Sequence, residues 1–200
     1  MRDKIWFMVL VLGLVAGVAG LGLAAVQGVT APVIENRNLE EKIKPSLEAF
    51  YGPVGVENDY IADRVDLDLG KDDWGRKLKA TVFKGKKGGK VVAAALQTSA
   101  GGFGGDIQVL TAFDLENEKI LGVKTIDQKE TKGLGARVAD DTEPFIQQFA
   151  GMSYDKGVAL KADGGQVDAI SGATVSSTGF ANAVNKAVGL LGERAGEIAK

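Results

Sequence analysis

Two patterns of apolar residues divide the chain. The first is unbroken. Residues 5–34 contain no charged side chain, and residues 5–26 are drawn only from Ile, Trp, Phe, Met, Val, Leu, Ala and Gly. As a helix, residues 5–26 would be about 33 Å long, enough to cross a hydrocarbon layer of about 30 Å. A cleaved signal peptide has a shorter apolar stretch and a small-residue cleavage site. Gly22, Ala24 and Ala25 form a poor one, so a retained anchor is expected.

The second pattern is interrupted and periodic. Ala31-Pro32 reads as a break, after which Asn36 or Asn38 could cap a helix with Leu39, Ile43, Leu47 and Phe50 on one face. Pro45 should kink or shorten it, and residues 51–53 end it. Residues 54–76 read as loop plus a short strand, their acids a solvated face. Residues 78–83 and 91–98 read as strands around a Lys- and Gly-rich turn at 84–90, followed by a glycine-rich bend at 99–105. Residues 107–114 and 120–127 form a second hairpin around 116–118. A loop at 128–140 leads to a short helix near Pro144, with Phe145, Ile146 and Phe149 turned inward. Residues 154–160 are a short strand or loop, and 168–170 another strand. Residues 175–191 carry Phe180, Val184, Ala187, Val188 and Leu191 at helical steps, with Gly192 as the stop. The expected fold is α+β: an N-terminal transmembrane helix, then an antiparallel sheet packed with helices. The divisions are an N-terminus and anchor at 1–34, a linker helix and connecting segment at 35–76, and the main domain at 77–200.

Composition narrows the chemistry. The formal net charge is −2, and no basic patch is interleaved with aromatics, so a nucleic-acid partner is not expected. There is no cysteine and no histidine. Disulfides, cysteine-ligated clusters, thiol nucleophiles, zinc–histidine sites and a Ser-His-Asp triad are therefore excluded. No catalytic or metal-binding residue is assigned. Redox chemistry would need an organic cofactor. Arg2 and Lys4 precede the span; Arg37, Lys42 and Lys44 follow it. That count is nearly balanced, and the short charged N-terminus is read as cytoplasmic.

Three segments are candidates for a site. The first runs from Asp168 through Ser171, Gly172, Ala173, Thr174, Val175 and Ser176 to Ser177: a strand end, a small-residue turn and a helix start. The first turn of a helix has N–H groups without partners and a positive dipole end, which suit a phosphate. Serine and threonine also collect there as caps, and on the residues alone capping is the stronger account. The second runs from Gly101 through Gly102, Phe103, Gly104, Gly105 and Asp106 to Ile107. It lacks the spacing of a dinucleotide fingerprint, and a tight turn explains it. The third is Glu130-Thr131-Lys132-Gly133-Leu134-Gly135, on its own a polar loop.

Together these segments resemble the FMN-binding domain family, most closely the G subunit of the Rnf ion-translocating electron-transport complex. The C subunit of the sodium-translocating NADH:quinone reductase is a relative. Ser171-Gly172-Ala173-Thr174 is similar to the family's flavinylation motif, and Glu130-Thr131-Lys132-Gly133-Leu134-Gly135 to its Glu-Thr-x-Gly-Leu-Gly segment. Lys132 stands where relatives often have proline, which bears on the loop's rigidity. The resemblance implies FMN joined through its phosphate to Thr174 by a separate flavin transferase. It also implies Ser171, Gly172, Ala173, Val175, Ser176, Glu130, Thr131, Gly133, Leu134, Gly135, Gly102, Phe103 and Gly104 near the flavin.

The implied role is an electron-transfer subunit in a ferredoxin:NAD oxidoreductase complex of the inner membrane. Its partners are the other membrane subunits, and its flavin domain lies outside the cytoplasm. The span holds no charge, so ion pumping belongs to partners, and the chain completes no catalytic cycle alone. The alternatives are a freestanding membrane-tethered flavin reductase, a C-type subunit of the quinone reductase, and a non-redox anchored assembly module.

Overall fold

The computed structural model describes residues 2–71 and 77–198. Residues 72–76 of the expected connecting segment and the last two residues of the expected main domain lie outside it. The chain divides into two compact units, residues 1–42 and 43–200.

The first unit is helix α1, Arg2–Asn38, with Pro32 inside it. It is long and apolar enough to cross a membrane. The expected break at 31–32 does not occur, and neither Asn36 nor Asn38 starts a new helix. Proline removes one i→i−4 hydrogen bond and strains the turn before it, but the flanking residues are free to stay helical. The irregularity falls a little later, in a five-residue π-helical turn at Leu39–Ile43. Helix α2, Lys44–Tyr51, then begins with Pro45 in its first turn, where a missing N–H is harmless.

The second unit is built on a five-stranded antiparallel meander in the order of the chain. Its strands are β1 Val65–Lys71, β2 Lys77–Lys87, β3 Lys90–Gly101, β4 Asp106–Asp114 and β5 Lys119–Asp127. The β2–β3 turn is much tighter than the seven residues expected. Lys87 pairs with Lys90, leaving only Gly88 and Gly89 between them. Their φ angles of 56° and 81° are the left-handed conformation that a two-residue hairpin turn requires. The glycine-rich bend is likewise short: Gly101 pairs with Asp106, and Gly102 N–H donates to Gly105 O at 2.7 Å.

Helices α3 Pro144–Gln147, α4 Thr174–Glu193 and α5 Ala195–Ile198 complete the unit. Gly192 does not stop α4, which runs on to Glu193 because glycine weakens a helix without breaking it. Alternate residues of the strands, among them Val82, Leu96, Ile107, Val109 and Phe113, pack against Phe180, Val184, Ala187 and Leu191 of α4. Phe145, Phe149 and Phe180 meet edge to face with centroids 5.2–5.4 Å apart. This triad ties α3 to the middle of α4.

The small residues Ala95, Ala112 and Gly122 lie side by side in register across β3, β4 and β5. A Cβ on Gly122 would lie 2.2 Å from the ring of Phe50, so this row lets α2 approach closely. Tyr51 donates its hydroxyl to Phe83 O at 2.7 Å.

The expected strand at 168–170 is absent. Asp168 N–H donates to Gln148 Oε1 and Ile170 N–H to Ser177 Oγ. Side chains thus take the hydrogen bonds a ladder would have used.

Candidate functional site

The three sequence segments meet at one end of the sheet. They enclose an open cavity of about 400 Å³ lined by Phe103, Glu130, Thr131, Leu134, Gly135 and Gly172 to Ser176. The β3–β4 turn contributes Phe103, the 128–135 loop contributes the middle group, and the start of α4 contributes the rest.

The start of α4 settles the capping question. Ala173 occupies the N-cap position, and no side chain caps the helix. Ser177 N–H is the first to close, onto Ala173 O at 2.9 Å. The N–H groups of Thr174, Val175 and Ser176 are left without an intrahelical acceptor. Ser176 and Ser177 of the first helical turn are occupied elsewhere. Ser177 Oγ donates to Ala173 O at 3.0 Å and accepts from Ile170 N–H, which shapes the turn before the helix. Ser176 Oγ donates to Glu130 Oε2. Thr174 is exposed, and its hydroxyl bonds to no described residue. Of the three hydroxyls in the first turn of α4, only that of Thr174 is free, and Thr174 lines the cavity. Gly172, at φ 76°, provides the left-handed turn that delivers it there.

The rim is apolar. Phe103 is 76% exposed, Val175 54% and Leu134 49%. Among the described residues of the second unit, these three and Val65 are the only exposed large hydrophobics. Their convergence on one opening makes an apolar patch of the kind that marks a binding site.

Glu130 lies in the wall, 7% exposed. Its Oε1 accepts from Gly104 N–H at 2.9 Å while its Oε2 accepts from Ser176. It thereby links all three segments. Around the next bend, Arg137 forms a two-pronged ion pair with Glu143, at 2.9 and 2.8 Å. The Thr142 hydroxyl and N–H hold the Asp140 carboxyl below the usual carboxylate range. These contacts fix the far end of the loop.

Gly102, Gly104, Gly133 and Ser171 adjoin the cavity without lining it. A Cβ on Gly104 would meet Lys129 O at 2.2 Å, and one on Gly102 would meet Glu130 Oε1 at 2.5 Å. Their smallness serves loop-to-loop packing. Asp168 is exposed and paired with Lys161 at 2.6 Å. Sequence reasoning missed Gly179. A Cβ there would lie 2.5 Å from Gly101 O, so α4 rests directly on the end of β3. The available signal was a glycine inside the buried stripe of an amphipathic helix.

Comparison with known proteins gives this cavity a context. The FMN-binding domain family matches residues 102–189, which include all three segments. The G subunit of the ion-translocating oxidoreductase complex of Pseudomonas aeruginosa (strain UCBPP-PA14) is 33% identical over 185 residues, covering 90% of this chain and 85% of that one. The chain belongs to this G-subunit family. The G subunit of Stutzerimonas stutzeri is 28% identical over 194 residues, covering 94% and 81% of the two chains.

In fold, this member of the G-subunit family resembles the C subunit of the Na(+)-translocating NADH-quinone reductase of Parabacteroides distasonis. The TM-score is 0.50 at 18% identity, with 72% and 79% of the chains covered.

Proposed function

We propose that the chain is the membrane-anchored electron carrier of an ion-translocating oxidoreductase complex of the ferredoxin:NAD type, with FMN joined through its phosphate to Thr174 Oγ1. The observation that carries this reading is the free Thr174 hydroxyl beside three N–H groups without acceptors, at the mouth of an apolar-rimmed cavity.

The residues fit such a group in both of its parts. A phosphodiester on Thr174 retains one negative charge, which the open N–H groups and the positive end of the α4 dipole stabilise. Gly172 and Ala173 keep bulk away from it. Phe103, Leu134 and Val175 offer apolar contact to a flat ring, and Thr131 brings a hydroxyl to the same wall. FMN held there supplies the electron-accepting chemistry; the protein supplies position, partial shielding from water and the local field. The cavity is open, so a group held there would stay within reach of a partner.

In this reading α1 crosses the membrane and the second unit lies on the extracytoplasmic side, where a separate flavin transferase acts on it. Partner subunits carry the ions.

Intact mass tests the linkage. Protein purified from its native membrane should carry the added mass of one FMN residue, located by fragmentation on the tryptic peptide that contains Thr174. Thr174→Ala should remove the addition while the protein remains folded. A wild-type mass without the addition would end the covalent proposal.

A further inference from the structure

Glu130 is the one charged residue in the cavity lining. Among the described residues no cation pairs with it. Burying a carboxylate without a counter-charge is costly unless hydrogen bonds compensate. Here both oxygens act as acceptors, from Gly104 N–H and Ser176 Oγ, the bonding pattern of a carboxylate. Two glycines make room for it. A Cβ on Gly102 would lie 2.5 Å from Oε1, and one on Gly135 would lie 2.6 Å from Oε2. The backbone on both sides is thus shaped around this group.

If tying the three segments together were its only task, a glutamine would serve. Its oxygen could accept from Gly104 N–H, and its amide could donate to Ser176 Oγ. What a carboxylate adds is a fixed negative charge in a wall where the local dielectric is low. We propose that Glu130 is a positioning residue whose charge sets the electron affinity of the redox group held in the cavity. Electrons are harder to add beside a buried anion, so Glu130 holds the reduction potential down. The Ser176 hydroxyl, donating into Oε2, damps that field. This inference rests on the flavin reading above.

The test uses full-length chain in detergent, with flavin loading measured by mass before anything else. Wild type that carries no flavin overturns the reading this inference rests on, and the inference with it. In loaded protein, Glu130→Gln should raise the flavin midpoint potential in a redox titration, and Ser176→Ala should not raise it. Hydrogen exchange on the unloaded chain separates charge from structure. Peptides containing Gly104 should exchange at the wild-type rate in Glu130→Gln and about tenfold faster in Glu130→Ala, which loses both bonds. A Glu130→Gln potential equal to or below wild type overturns the proposal. So does Glu130→Gln exchange as fast as that of Glu130→Ala, because the glutamine would then have disturbed the loops themselves.

Discussion

Replacing Gly179 by alanine places a methyl group 2.5 Å from Gly101 O and 3.0 Å from the Gly102 Cα. Ordinary contact begins at 3.4 Å, so the helix or the strand end must give way by about 0.9 Å (3.4 − 2.5). Both obstacles are backbone, and no rotamer change relieves them. Overpacking of this kind costs about 1–3 kcal/mol. The same substitution at Gly189, also on α4, meets nothing within 4 Å. Both substitutions gain about 1 kcal/mol of helix propensity, which cancels in the difference between the two variants. In a unit of this size 1 kcal/mol moves the melting temperature by about 2–4 °C. Gly189→Ala should therefore melt about 2–12 °C above Gly179→Ala, and above wild type as well. The assay is thermal denaturation followed by circular dichroism, together with the fraction of chains carrying flavin. Displacing α4 at Gly179 also moves its N-terminus against the Glu130 loop, so flavin content should fall in that variant alone. Equal stabilisation by both substitutions, with full loading, would refute the claim that α4 rests on the β3 end.

Two further outcomes follow from local geometry. Burial pushes the Asp114 carboxyl up, but the Asn117 side chain, the Asn117 and Glu116 N–H groups and nearby Lys119 outweigh it, and the net direction is down. A depressed folded value gives stability that is present above the ordinary carboxylate range near about pH 4 and lost as pH falls through the lower folded value. The melting-temperature gap between wild type and Asp114→Asn should therefore shrink as pH falls below about 4, measured by melts across that range. At the β2–β3 turn, Gly89→Val forces a β-branched residue to φ 81° and should cost about 1–3 kcal/mol in urea unfolding. Gly88→Asn, suited to the left-handed region, should cost less.

Much of the fold was legible because each strand shows its own pattern and each hairpin closes locally. The aromatic positions 145, 149 and 180 read correctly as inward-facing. What escaped the sequence depended on side chains satisfying the backbone from a distance. Residues 168–170 look like a strand until Gln148 and Ser177 take their N–H groups. Pro32 and Gly192 look like stops, yet their neighbours keep the helix going. The lining of the cavity was legible as three segments in order. Its unifying contact was not: Glu130 and Ser176 are 46 positions apart, and neither alone announces the other. Gly102 and Gly104 read as a tight turn, and the room they leave for Lys129 and Glu130 shows only in three dimensions.

The meander also has a consequence for the order of assembly during synthesis. In the sheet each strand pairs with its neighbours in sequence, and β5 adds only a short bridge from Lys119 to Ser153, so each hairpin can close soon after it leaves the ribosome. The cavity cannot, because its floor waits for residues 172–176 and for α4 to settle on the β3 end. A chain cut short before α4 could hold a nearly finished sheet and no site at all. Modification at Thr174 would then mark chains that have completed folding, much as a final stamp marks a part that has passed every earlier station.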